Sequence, residues 1–287
     1  MNIARTPYLK QASSSLRARV FGPALVLALV SFAFLACDVA QAASGTWTGG
    51  GSDGEWTNAG NWAGGTIPGV SSGVYSTDQA TFNNTGTANL PVVINSGRVI
   101  YNVNFMGSAG SFTIGTTGGN ALSLSHGAGI IIDVGLAGTG LTQTVNAPLT
   151  LQPVSATGIG VHGLANNSAS ATNTLVVGGA ISSGTTSTTA LLNLYGSNAG
   201  ANNVSGSISD GAAAGGLKVF KDGTGTWTLS GANSFTRGVQ IKAGTLNINS
   251  AQALGTGTLA VDYAQSFDNT SGSPVTLTTN NAQTWGG

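Results

Sequence analysis

The sequence predicts an all-β protein, and three observations carry that prediction. Past residue 42, no window shows a 3.6-residue apolar period, so no amphipathic helix is expected. Short runs with apolar residues at i and i+2 recur in its place, as one face of a strand requires. Gly, Asn and Ser fill the gaps, and these residues tolerate tight turns and left-handed backbone. Gly supplies 45 of the 287 residues, about twice its average usage of roughly 7%. Only 6% of residues are charged, while 41% are hydrophobic and the net charge is zero, which is not the composition of a disordered chain. There is no strict Gly-X-Y period, so collagen is excluded.

The first 42 residues differ from the rest. Arg5, Lys10, Arg17 and Arg19 form a basic head, and residues 20–36 are apolar but for Gly22, Pro23 and Ser31. Ala40-Gln41-Ala42 then places small residues where a signal peptidase reads them, so residues 1–42 are expected to be a signal peptide cleaved after Ala42. A retained membrane anchor is the competing reading, but the run is near the lower limit for spanning. Phe34-Leu35-Ala36-Cys37 resembles a lipobox, with Phe34 where Leu is wanted and bulky Leu35 next, so lipidation of Cys37 is a further alternative. Cys37 is the one cysteine, so a chain cleaved after Ala42 carries no disulfide. Cleavage also leaves five basic and eight acidic residues, a net charge of −3. No basic patch suits nucleic acid, and no basic amphipathic helix suits a membrane surface.

The predicted strands follow in order. The first are residues 92–94, 99–105, 111–114, 121–124 and 130–134; then come 141–145, 149–151, 174–177 and 191–195. Near the end, Thr226-Trp227-Thr228-Leu229 alternates, Phe235 starts a short strand, and Val239-Gln240-Ile241, residues 245–248 and residues 258–261 alternate again. His126 and His162 are expected in turns or at strand ends. Two architectures use such a pattern, an antiparallel sandwich and a coiled β-helix. Pairs of short strands recur at about the 20-residue interval of one coil. Low charge suits stacking, because like residues lie above one another and a column of equal charges repels, whereas Asn, Ser and Thr bond along it. At roughly 20–25 residues per coil, the mature chain gives on the order of ten to twelve coils.

Residues 223–249 read GTGTWTLSGANSFTRGVQIKAGTLNIN. This run resembles the autotransporter-associated β-strand repeat, with Trp227 where Leu is commoner, Arg237 where Gly is common and Val239 where Thr is usual. The trailing SAQALGTGTL from Ser250 resembles the exit of that repeat, so the likeness spans residues 218–262. Trp47, Trp56, Asn61 and Trp62 are spaced like the opening of such proteins, and Pro68 and the run DQATF at residues 78–82 follow as they do there. The resemblance implies a right-handed parallel β-helix, exported to a bacterial surface, outer membrane or medium. The repeat also occurs in exported proteins that carry a Pro-Glu-Pro sorting tail. The expected organisation is a Trp-rich cap and first coils over residues 43–105, and further coils over residues 106–287. The last residues begin another strand pair without a translocator barrel or sorting tail. The expectation is therefore a fragment of a longer protein, with any membrane link in a missing C-terminal part.

Chemistry-bearing residues are few. No Gly-x-Ser-x-Gly elbow accompanies the two histidines. Asp133, Asp210, Asp222, Asp262 and Asp268 are scattered singly, without calcium-repeat, metal or phosphate-loop spacing. Asp53 and Glu55 sit beside Trp47, Trp56 and Trp62, which marks these five as candidate glycan-binding residues, and the two acids as a candidate glycosidase pair. The favoured reading is that the tryptophans plug the open end of the β-helix, which would otherwise expose its edge. The sequence thus predicts a monomeric, secreted, adhesin-like scaffold without catalysis or cofactor. Its partners would be surface or glycan ligands. A polysaccharide-binding or polysaccharide-degrading β-helix is the alternative.

Overall fold

In the computed structural model, residues 43–85, 91–153, 160–262 and 265–286 are described. The signal segment, with Cys37 and the Ala40-Gln41-Ala42 site, lies outside them. Among the described residues, twenty strands run in chain order from β1 (Gly45–Thr46), β2 (Gln79–Phe82), β3 (Arg98–Phe105), β4 (Thr113–Ile114) and β5 (Leu122–Ile132). Next come β6 (Thr142–Val145), β7 (Leu149–Leu151), β8 (Val161–Asn166), β9 (Thr174–Val177) and β10 (Ile181–Ser183). Then follow β11 (Ala190–Tyr195), β12 (Asn202–Val204), β13 (Ile208–Ser209), β14 (Leu217–Lys221) and β15 (Thr226–Leu229). The last are β16 (Val239–Ile241), β17 (Thr245–Ile248), β18 (Leu259–Val261), β19 (Ser266–Asp268) and β20 (Gln283–Trp285).

Every pairing between these strands is parallel, which rules out the sandwich and leaves a β-helix with three sides. The first side stacks β1, β2, β3, β5, β8, β11, β14, β16, β18 and β20, ten levels in all. The second stacks β4, β6, β9, β12, β15, β17 and β19. The third joins the early parts of β3 and β5 to β7, β10 and β13. Strands β3 and β5 bend from the third side onto the first, and their register shifts at the bend, between Ile100 and Asn102. Two expected strands, 121–124 and 130–134, are therefore one continuous element that turns a corner. His126 lies inside that element and His162 inside β8, so neither is a turn residue.

Alternation explains which side chains go in. On the first side Ile130, Leu164, Leu194, Lys221, Ile241 and Val261 lie in register, and all six are buried. Beyond β13 the third side continues as loop. Ser234 N donates to Ile208 O at 2.9 Å, and Thr256 N donates to Phe235 O at 2.9 Å. Phe235 thus starts no strand. Its ring is fully buried and fills the corner. Residues 92–94 likewise contribute only single bridges, Val92 to Ile114 and Val93 to Glu55.

Coils of roughly 20–25 residues were expected, and part of the stack departs from that length. Lys221 pairs with Ile241 and Ile241 with Val261, twenty residues per coil. Ile130 pairs with Leu164 and Leu164 with Leu194, intervals of 34 and 30 residues. Some corners need residues without bulk. A Cβ on Gly206 would sit 2.0 Å from Gly179 O, and one on Gly231 would sit 2.2 Å from Gly206 O, so neither position has room for a side chain. Gly238 adds a positive φ of 76°.

Candidate functional site

The three tryptophans near the start do come together. Trp47 meets Trp62 edge-on at 5.0 Å between ring centres, and Trp56 meets Trp62 at 4.9 Å. All three pack on Phe82, which stacks on Phe105 at 5.3 Å and meets Phe112 at 4.8 Å. Trp56 Nε1 donates to Pro68 O at 3.0 Å, and Trp62 Nε1 donates to Trp56 O at 2.6 Å, so these two buried N–H groups have acceptors. None of the three indoles is more than 3% exposed. This corrects the glycan-stacking expectation: a sugar ring needs an open aromatic face, and here those faces are spent on one another and on Phe82.

Asp53 and Glu55 serve the same local structure. The exposed Asp53 carboxylate accepts from Glu55 N (3.0 Å), Asn58 Nδ2 (2.9 Å) and Asn61 Nδ2 (3.1 Å). These bonds, the Glu55 N–H foremost, hold its carboxyl below the usual carboxylate range. Buried Asn61 also donates to Glu55 O and accepts from Gly51 N, which ties the loop to the aromatic plug. Glu55 Oε2 accepts from Asn95 Nδ2 at 2.8 Å. Among the described residues no three His, Cys, Asp or Glu side chains gather as a metal site would require.

The histidines have other duties. His162 Nε2 faces Leu124 O (3.1 Å) and Gln152 O (3.0 Å), so it carries the proton and donates to both carbonyls. Its Nδ1 is buried without a partner. Burial lowers its pKa to about 4, keeping the ring neutral at pH 7. His126 Nδ1 accepts from Val161 N at 3.4 Å. Neither ring contacts a serine hydroxyl or a carboxylate among the described residues.

The repeat region shows what its pattern residues do. Asn233 Oδ1 accepts from Ile208 N (2.8 Å) in the coil before, while Nδ2 donates to Ala253 O (2.7 Å) in the coil after. One side chain thus clips three successive coils. Lys221 is fully buried in phase with Leu217 and Val219. Its Nζ donates to Asp222 O (3.1 Å), Gly223 O (2.7 Å) and Ala243 O (2.7 Å), satisfying carbonyls at a corner. On the outer face, Lys218 and Lys242 sit over the Phe220 ring at 4.8 and 4.1 Å. Sequence reasoning missed the interior role of Lys221, although its period-2 phase places it inward. It also missed the buried bond from Asn166 Nδ2 to Asn202 Oδ1 (2.6 Å), which period 2 does not reveal because it stands at a corner.

Comparison with known proteins is consistent with this geometry. The family model of the passenger-associated-transport-repeat matches residues 219–248, which span β14 to β17 and one complete coil. The chain therefore carries a repeat associated with autotransporter passengers. No match is found among curated proteins, and none among solved structures.

Proposed function

We propose that this chain acts as an exported, surface-displayed β-helix of the autotransporter passenger kind, an adhesin-like scaffold and not an enzyme. One observation carries the reading. The matched repeat is a working coil of the stack, paired in parallel to β11 on one side and to β18 on the other. A coil that contacts only its neighbours folds as they are laid down, which suits a chain that crosses a membrane unfolded. Residues 43–287 contain no cysteine, so no disulfide has to form or be reduced on the way.

The test is accessibility on intact cells. An epitope inserted after Gly118, an exposed turn with open space around it, leaves the stack undisturbed. With the natural reading frame expressed in its own host, protease added outside is expected to strip the epitope from intact cells. An epitope reached only after lysis, in the cytosolic fraction, overturns the proposal. Polysaccharide binding is the second reading, and a cleft on the first side favours it.

A further inference from the structure

The cleft on the outer face of the first side, about 350 Å³, deepens that second reading and rests on it. Its origin is a register column. Asn102, Gly129, Gly163 and Asn193 lie level with one another on successive strands. Two neighbouring glycines leave two levels without a side chain, and an asparagine closes the trough at each end. The flanks are aromatic. A Cβ on Gly163 would meet Tyr195 Cε1 at 2.5 Å, so that ring leans over the floor from one end. A Cβ on Gly127 would lie 3.6 Å from the Tyr101 hydroxyl, so the second ring leans in from the other.

Several polar groups here are uncommitted. Neither the Tyr101 nor the Tyr195 hydroxyl bonds to any described residue. Asn102 Oδ1 accepts from Gly129 N at 2.9 Å, which leaves its Nδ2 free to donate. Asn193 Oδ1 is buried and unpartnered, a state that native structures rarely leave without a reason. No lining residue is charged at neutral pH. An ionic ligand would give up its hydration with no counter-charge in return. The volume is at the low end for small-ligand sites.

We propose that this cleft binds one ring of a neutral glycan, with Tyr101 and Tyr195 against the ring and Asn102 and Asn193 on its hydroxyls. A pyranose has the matching surfaces: C–H faces that pack on phenol rings, and hydroxyls that both donate and accept. A rotation of the Asn193 amide brings its unmet oxygen to such a hydroxyl. The site holds wherever the chain is located.

The experiment presents the whole protein to an array of immobilised neutral hexose and N-acetylhexosamine oligosaccharides, with acidic oligosaccharides alongside. Binding to a neutral subset is expected, with affinity falling at least tenfold in Tyr195→Ala and Tyr101→Ala and retained in Tyr101→Phe. Because Tyr195→Ala removes packing as well, Val161→Lys provides a second variant. Val161 lines the cleft at an exposed position, so its replacement blocks the cleft without hollowing the core. Thermal melts report whether each variant is folded. Absence of neutral binding, binding confined to acidic glycans, or neutral binding unchanged in folded Val161→Lys overturns the proposal. None of these results bears on the protease test of surface display.

Discussion

The coils up to β11 and the coils from β14 to β18 share two parallel columns, yet they are built differently. The later coils advance twenty residues per turn, with Gly or Asn at their corners and little beyond what the stack needs. The earlier ones vary, with registers such as Gln79 to Asn102, Gly129 to Gly163 and Gly163 to Asn193, and the surplus in the longer ones forms loops. Their interiors differ as well. Six aromatic rings from Trp47 to Phe112 fill the first levels, whereas the later ones hold mainly aliphatic columns with Trp227, Phe235 and a buried lysine. Regular coils supply length, and irregular coils supply features that a ligand can meet.

The comparison breaks most readily at the aromatic plug. Trp56→Ala removes a fully buried indole and its bond to Pro68 O, with an expected loss of about 3–5 kcal/mol. In a stack held by nearest neighbours the damage stays local. Amide hydrogen exchange is expected to show lost protection in β1 to β3 and retained protection in β14 to β18. Equal loss along the chain would mean that both regions melt as one unit, and the division drawn above would fail.

How much of this division the sequence shows depends on where a residue stands. Within strands the period of two is reliable: Leu192 and Leu194, or Leu246 and Ile248, alternate and point inward as read. The gathering of Trp47, Trp56 and Trp62 was legible in their close spacing near the start. Corners were not legible. Phe235 looks like a strand start because it is aromatic between turns, but its partners are loop atoms of adjacent coils. The cleft was hidden too, since Gly129 and Gly163 are 34 residues apart and become neighbours only through the register of β5 and β8. Composition cannot separate a glycine that turns a corner from one that opens a trough.

His162 and Lys221 are buried ionisable groups, one in each region, and both make stability rise with pH, in different windows. His162 belongs to the irregular coils. Its folded pKa of about 4 lies below the usual 6.5, chiefly because burial penalises the charged ring, with the nearby His126 adding to the effect. The unfolded chain therefore takes up a proton first as pH falls. Stability is full above about pH 6.5 and declines until pH reaches about 4, by about 3 kcal/mol in all. Urea titrations across that window should show the decline shrinking in His162→Leu relative to wild type. An unchanged slope would place the acid sensitivity elsewhere.

Lys221 gives the smaller and sharper test, because it sits inside the matched repeat. Burial lowers its pKa from 10.5 to about 8, while Asp222 opposes the shift. Between those values the unfolded chain keeps the proton and the folded chain releases it, so stability rises with pH. From pH 8 to pH 9.5, before tyrosines ionise, the expected gain is about 2 kcal/mol. Lys221→Met has no proton to lose and should lack that rise, so the difference between the two proteins isolates this one group. The sign also bears on why a lysine stands in a column of Leu, Ile and Val. At neutral pH its ammonium is less stable than it would be in water, so the charge itself does not favour folding. What the side chain supplies is three hydrogen bonds to carbonyls at a corner where strand pairing stops. If Lys221→Met is as stable as wild type at pH 7 and the alkaline rise is absent from both, the corner closes without those bonds. The later coils would then owe their regularity to glycine and asparagine alone.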